Sequence, residues 1–134
     1  VDSTQVILIV GPDQEPRGIA QLTEEFPIDV AWSPDGAHIA VAATLVRQRD
    51  FATSLHVIAL ETGALTTVVE GDEWLMWPNW SPDGNRLLFT MGPMQRRPGA
   101  DLPYADLWVY DVTSRQLEQL TTGHGFAGLG VWSP

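Results

Sequence analysis

Trp32-Ser33-Pro34-Asp35-Gly36 recurs as Trp80-Ser81-Pro82-Asp83-Gly84, and Trp132-Ser133-Pro134 begins a third copy. Within the stretch, proline presets φ at about −65° for the first central position of a tight turn. Aspartate can hydrogen-bond its own backbone, and glycine tolerates positive φ. Apolar residues stand on both sides, so the stretch reads as a β-hairpin corner with a large aromatic just before it. Self-similarity at a period of about 40–50 residues marks stacked supersecondary units.

The copies extend beyond the pentapeptide. Each turn is followed by a short apolar run, His38-Ile39-Ala40-Val41-Ala42 and Arg86-Leu87-Leu88-Phe89-Thr90. After a loop comes a third run, Leu55-His56-Val57-Ile58-Ala59-Leu60, matched by Leu107-Trp108-Val109-Tyr110-Asp111-Val112. A turn at Glu61-Thr62-Gly63 or Thr113-Ser114-Arg115 leads to a fourth, Leu65-Thr66-Thr67-Val68-Val69 and Leu117-Glu118-Gln119-Leu120-Thr121. Each unit is predicted to be four short strands, in order A to D, which is the pattern of a propeller blade.

These residues carry a family resemblance. The repeated Trp-Ser-Pro-Asp-Gly, the run Asp106-Leu107-Trp108-Val109-Tyr110-Asp111 and the ending Leu120-Thr121-Thr122-Gly123 resemble the WD-repeat-like blades of TolB-type β-propellers. The resemblance covers nearly the whole chain. In the first unit Ala59-Leu60 stands where the pattern has the Asp111-Val112 type.

The expected fold is all-β, a propeller portion built of four-stranded antiparallel blades. Residues 1–25 read as strands C and D of one blade, with Gln5–Val10 and Ile19–Thr23 as the runs. Residues 26–71 and 72–123 read as two full blades, and 124–134 as strand A of a further one, Gly128-Leu129-Gly130-Val131-Trp132. That makes eleven strands and no helix. A closed propeller takes at least about four blades, and the resemblance implies six, so the chain is too short to close alone. Its end blades should expose flat apolar faces, which mark interaction surfaces. Self-association follows as an expectation, with a homodimer favoured as the commonest closed oligomer. A piece of a longer propeller protein is the other outcome.

Composition narrows the partners. The 134 residues carry a formal net charge of −10, and arginine supplies every one of the seven basic side chains. Such acidity disfavours the grip on phosphates that nucleic acid or an anionic membrane surface would need. No run approaches the ~18 apolar residues of a membrane span. The absence of cysteine excludes disulfides and thiolate chemistry. Val1 is not an initiator methionine, so the N-terminus reads as a processed or cloning boundary.

Alternating strand direction puts the D–A and B–C connections on one face and the short Ser-Pro-Asp-Gly turns on the other. Asp35, Gly36, Asp83 and Gly84 are assigned to turn geometry, and Trp32, Trp80 and Trp132 to packing between blades. Six residues before each repeat tryptophan stands an aromatic: Phe26, Trp74 and Phe126. Glu25, Asp72, Glu73 and His124 stand nearby, and Arg47, Arg49, Arg96 and Arg97 lie in the B–C loops of the same face. One reading is a partner- or ligand-binding rim, because aromatics and arginine are favoured at interface hot spots. The other is that the aromatics cap the blade cores while the charges pair locally in solvent. Trp77 could face the central channel.

No nucleophile elbow, His-Glu-x-x-His, phosphate loop or dinucleotide fingerprint occurs. The three histidines occupy non-equivalent repeat positions, and the sequence places no convergent oxygen ligands around Asp29 or Asp72, so no metal or cofactor is expected. The function expected is a non-catalytic interaction module binding a protein or small ligand. The resemblance implies a periplasmic or extracellular setting. It also implies an alternative, the substrate-gating propeller of a prolyl-oligopeptidase-like serine peptidase.

Overall fold

The computed structural model describes residues 4–46, 51–93, 104–122 and 125–134. It is all-β. β1 (Thr4–Ile9) and β2 (Arg17–Thr23) form a two-stranded antiparallel sheet. β3 (Glu25–Trp32), β4 (His38–Val46), β5 (Phe51–Ala59) and β6 (Leu65–Gly71) form a four-stranded meander in chain order. β7 (Glu73–Trp80), β8 (Arg86–Pro93), β9 (Asp106–Asp111) and β10 (Leu117–Gln119) form a second.

The repeated pentapeptide makes the same turn twice, bond for bond. Gly36 N–H donates to Ser33 O at 2.9 Å and Gly84 N–H to Ser81 O at 2.8 Å, with φ of 71° and 73°. The Ser33 hydroxyl donates to Asp35 Oδ1 at 2.6 Å, and the same oxygen accepts Ala37 N–H at 2.9 Å. Ser81, Asp83 and Asn85 repeat the pair at 2.5 and 3.0 Å. Each serine oxygen also accepts the amide that starts the next strand, His38 or Arg86, at 2.9 Å.

These bonds hold both aspartates below the ordinary carboxylate value, Asp35 chiefly through the Ser33 hydroxyl and Asp83 through that of Ser81. Asp111 is lowered too, first by the Ser114 amide in the β9–β10 turn. A depressed folded-state value stabilises the fold above the unfolded pKa and is lost as pH falls through the folded one. Urea midpoints should therefore fall as pH drops below about 4. The Asp35→Asn/Asp83→Asn variant should start lower at pH 7 and show a shallower acid limb. An acid limb identical to that of the parent chain would remove the turns from the account.

Alternate residues of a strand face opposite sides of a sheet, and the central strands use both. Ala40 and Ala42 of β4 join a cluster with Leu55, Leu75, Trp80, Leu87 and Phe89 between the two four-stranded sheets. Ile39, Val41 and Ala43 face the other way, in a cluster with Leu22 and Ile58 against the two-stranded sheet. A repeated bond joins the second four-stranded sheet to the first and the C-terminal segment to the second. Trp80 Nε1–H donates to Ala31 O at 2.9 Å, and Trp132 Nε1–H to Asn79 O at 3.0 Å. Each acceptor is the residue just before the preceding repeat tryptophan.

Two expectations need correction. The eleventh strand is not formed: residues 127–134 carry no strand, and the segment is attached through an isolated bridge of Phe126 to Ala105 and through the Trp132 indole. A strand A takes its ladder from a strand B, and none lies beside it among the described residues. Leu129 there has φ 55°, outside strand geometry. Trp32 is not buried between the described sheets: it is 53% exposed, with Val30 beside it at 54%. The two-stranded sheet supplies no neighbour in the A position to cover that face of β3.

Candidate functional site: an aromatic rim

The register puts the D–A and B–C connections at one end. Glu25 opens β3 opposite Leu45 near the end of β4, and Glu73 opens β7 opposite Pro93 at the end of β8. The Thr53 hydroxyl donates to the Glu73 carbonyl, tying the start of β5 to the start of β7.

At this end Trp74 stacks on Phe126, with ring centroids 5.8 Å apart and planes within 10°. Trp77 stands edge-on to both, at 6.0 Å from each. Offset and edge-on pairs of this kind suit the ring quadrupole. Three backbone features build the group. A bulge between Met76 and Asn79 re-aims the chain, as bulges do. Trp77 there takes φ 58°, which for a non-glycine residue costs about 1–2 kcal/mol. Asp29, which holds the matching position before Trp32, accepts the Trp77 amide on Oδ2 at 3.2 Å and Val30 N–H on Oδ1 at 2.9 Å. Gly128 completes the packing, since a Cβ there would lie 2.6 Å from Phe126 Cε1 and 2.9 Å from Trp77 Cζ3.

Around the rings, Asp72 and Glu73 are exposed. A pocket of about 220 Å³ beside Phe126 is floored by Asp106, which is buried and accepts the Thr121 hydroxyl at 2.8 Å and Gln119 Nε2 at 3.1 Å. Phe26 is 40% exposed and opposite Thr44, outside the ring group. Arg47, Arg49, Arg96, Arg97 and His124 lie outside the described residues.

Glu25 corrects the sequence reading. It is 7% exposed and turned away from the rim, with Oε2 at 2.8 Å from His56 Nε2. His56 Nδ1 lies 3.1 Å from Thr67 Oγ1. A carboxylate buried without such a partner would be costly, and β4 carries only alanine at position 43 between the two strands. Sequence reasoning missed this pair, and it missed Asp29 and Trp77 as rim supports. The last two were open to detection, because both stand three residues before a repeat tryptophan. Among the described residues no group of three or more His, Cys, Asp or Glu is placed to hold a metal.

No protein-family model matches the chain. Over 70 residues, 52% of its length, it is 29% identical to the Tol-Pal system protein TolB of Alcanivorax borkumensis, of which those residues make up 14%. The crystal structure of TolB from Acinetobacter baumannii matches 85% of this chain and 25% of its own, with a TM-score of 0.58 and 21% identity. The chain is a TolB-like stretch of β-propeller. The TolB-like fold extends to two archaeal proteins. One is the β-propeller domain of the Trilobed protease of Pyrococcus furiosus, described as having an open velcro topology, with a TM-score of 0.59 and 20% identity over 84% of this chain and 32% of that one. The other is the acylaminoacyl peptidase of Pyrococcus horikoshii, with a TM-score of 0.59 and 18% identity over 84% of this chain and 20% of that one. At these identities the structural likeness is one of fold. The TolB-like chain spans a third or less of each of the four proteins.

Proposed function

We propose that this TolB-like stretch is a non-catalytic interaction module that binds a protein or small ligand at the rim formed by its D–A and B–C connections. The observation that carries the reading is the Trp74–Trp77–Phe126 group, held by a left-handed residue and an aspartate and flanked by exposed Asp72 and Glu73. Rigid aromatics beside charge are what interface hot spots use. The polar groups of the kinds that carry chemistry have structural partners here: Glu25 with His56, Asp29 with two amides, Asp35 and Asp83 with their turns. The similarity to TolB supports a periplasmic setting.

The test is capture of native partners by the immobilised chain, identified by mass spectrometry. Trp74→Ala/Phe126→Ala should retain the circular dichroism spectrum of the parent and lose a captured partner by about tenfold or more. Equal capture by a folded variant would return the rim to the role of a core cap.

A second reading rests on the fold shared with the two archaeal peptidases. The chain would then be the gating propeller of a serine peptidase, screening substrates for a separate hydrolase domain. The sequence of the parent gene separates the two: a hydrolase domain with a nucleophile elbow selects the second.

A further inference from the structure

Between the two four-stranded sheets lies a crevice of about 220 Å³. It is at the end of the Ser-Pro-Asp-Gly turns, away from the rim. His38 opens β4 straight after such a turn, and Arg115 stands in the turn between β9 and β10. Thr66 of β6 adds to the wall of the first sheet and Tyr110 of β9 to that of the second. Val57 and Val112 give each wall an apolar surface. Both walls belong to the two complete sheets.

The polar side chains of the lining have no partners of their own. His38 Nδ1 is buried and makes no hydrogen bond, which is the exception for a buried polar atom. With no acceptor at Nδ1, the ring proton belongs on Nε2, which is then a donor. The Thr66 and Tyr110 hydroxyls and the Arg115 guanidinium make no hydrogen bond or ion pair among the described residues. No carboxylate stands in the lining, although the chain carries a net charge of −10. The turn that presents Arg115 is fixed. The Thr113 and Ser114 amides donate to Asp111 Oδ1 at 3.0 and 2.7 Å, and the Arg115 amide donates to the Asp111 carbonyl at 2.8 Å.

We propose that this crevice binds a small monocarboxylate with an apolar body. An ionised carboxylate only accepts hydrogen bonds, and the lining offers donors without partners. The carboxylate pairs with Arg115, whose planar fork matches its two oxygens, and takes further bonds from His38 Nε2–H and from the Thr66 or Tyr110 hydroxyl. The body of the ligand lies on Val57 and Val112. An apolar lining with a few polar groups that fix orientation is the usual make-up of a small-molecule site. The volume is that of about seven waters at about 30 Å³ each, which suits an acid the size of benzoate. A cation is excluded as the occupant, because the lining carries a guanidinium and no carboxylate. None of these residues belongs to the rim, so this site and the rim reading fail separately.

The methyl chemical shifts of Val57 and Val112 during a titration with benzoate test the site. Benzoate should move both and saturate at about a millimolar or below. Acetate, which lacks the ring, and benzyl alcohol, which lacks the charge, should bind about tenfold more weakly or less. Arg115→Gln should weaken benzoate binding by about tenfold or more. Ala64 also lines the crevice and is itself exposed, so Ala64→Leu should fill the space and abolish binding. Both variants should keep the melting midpoint of the parent, and Trp74→Ala/Phe126→Ala should bind benzoate as the parent does. Valine methyls that stay in place at tens of millimolar benzoate overturn the proposal. Parent-like binding by folded Arg115→Gln overturns it too, because the carboxylate would then not be what is recognised. So does binding of a peptide's C-terminal carboxylate without binding of benzoate, since the crevice would then read a chain end.

Discussion

Replacing Trp80 with alanine is expected to cost about 3–5 kcal/mol, the range for a large aromatic removed from a packed core. Trp80 is 6% exposed and lies in one cluster with Leu75, Leu87, Phe89, Met91 and Tyr110. Its ring lies 5.9 Å from that of His38, and its indole bonds the Ala31 carbonyl across the sheet boundary. The substitution opens a cavity and strands that acceptor at once. Native domains are stable by about 5–15 kcal/mol, so the variant should be close to unfolding. Trp32→Ala is the control, because it alters the same position of the repeat. With Trp32 already 53% exposed, its loss should be about 1 kcal/mol or less. Urea melts with matched slopes compare the two. Similar losses would show that the repeat position, and not the neighbour across it, decides burial.

The second large effect is expected at Glu25 and His56. Removing either partner leaves the other buried without its bond, which costs about 1–3 kcal/mol and more if it is charged. Glu25→Leu and His56→Leu should each be destabilised by that order. The double variant should recover much of the loss, since two apolar groups leave nothing unsatisfied at that contact; Thr67, at 3.1 Å from the histidine, would keep the recovery incomplete. A double-mutant cycle measures the coupling, expected within about 0.5–3 kcal/mol. Additive losses would mean that the 2.8 Å contact contributes nothing beyond its two separate environments.

Where the sequence reading failed, the reason lies in what touches what. Glu25 and Glu73 hold the same repeat position, yet one is buried on a histidine and the other is exposed. The difference is the residue two strands away: His56 in β5 answers to Trp108 in β9. Trp32 and Trp80 likewise share a motif and differ in burial because, among the described residues, only Trp80 has a strand A, β3, packed beside its own strand. Gly128-Leu129-Gly130-Val131-Trp132 has a strand's composition but no ladder partner among the described residues.

The sequence by itself determined the turns, the four-strand period and the phase of the repeat. Those are local matters: proline's fixed φ, aspartate's reach to its own backbone, glycine's tolerance of positive φ and period-two alternation act within a few residues. The turn bonds of Ser33-Pro34-Asp35-Gly36 and Ser81-Pro82-Asp83-Gly84 agree to within about 0.1 Å because nothing distant enters them. Only the tertiary structure decided which tryptophan is buried, that Asp29 holds the Trp77 amide, that Trp74 stacks on Phe126, and that Glu25 leaves the rim for His56. Each of these joins residues far apart in the chain, and burial and pairing depend on the neighbour that the fold brings up.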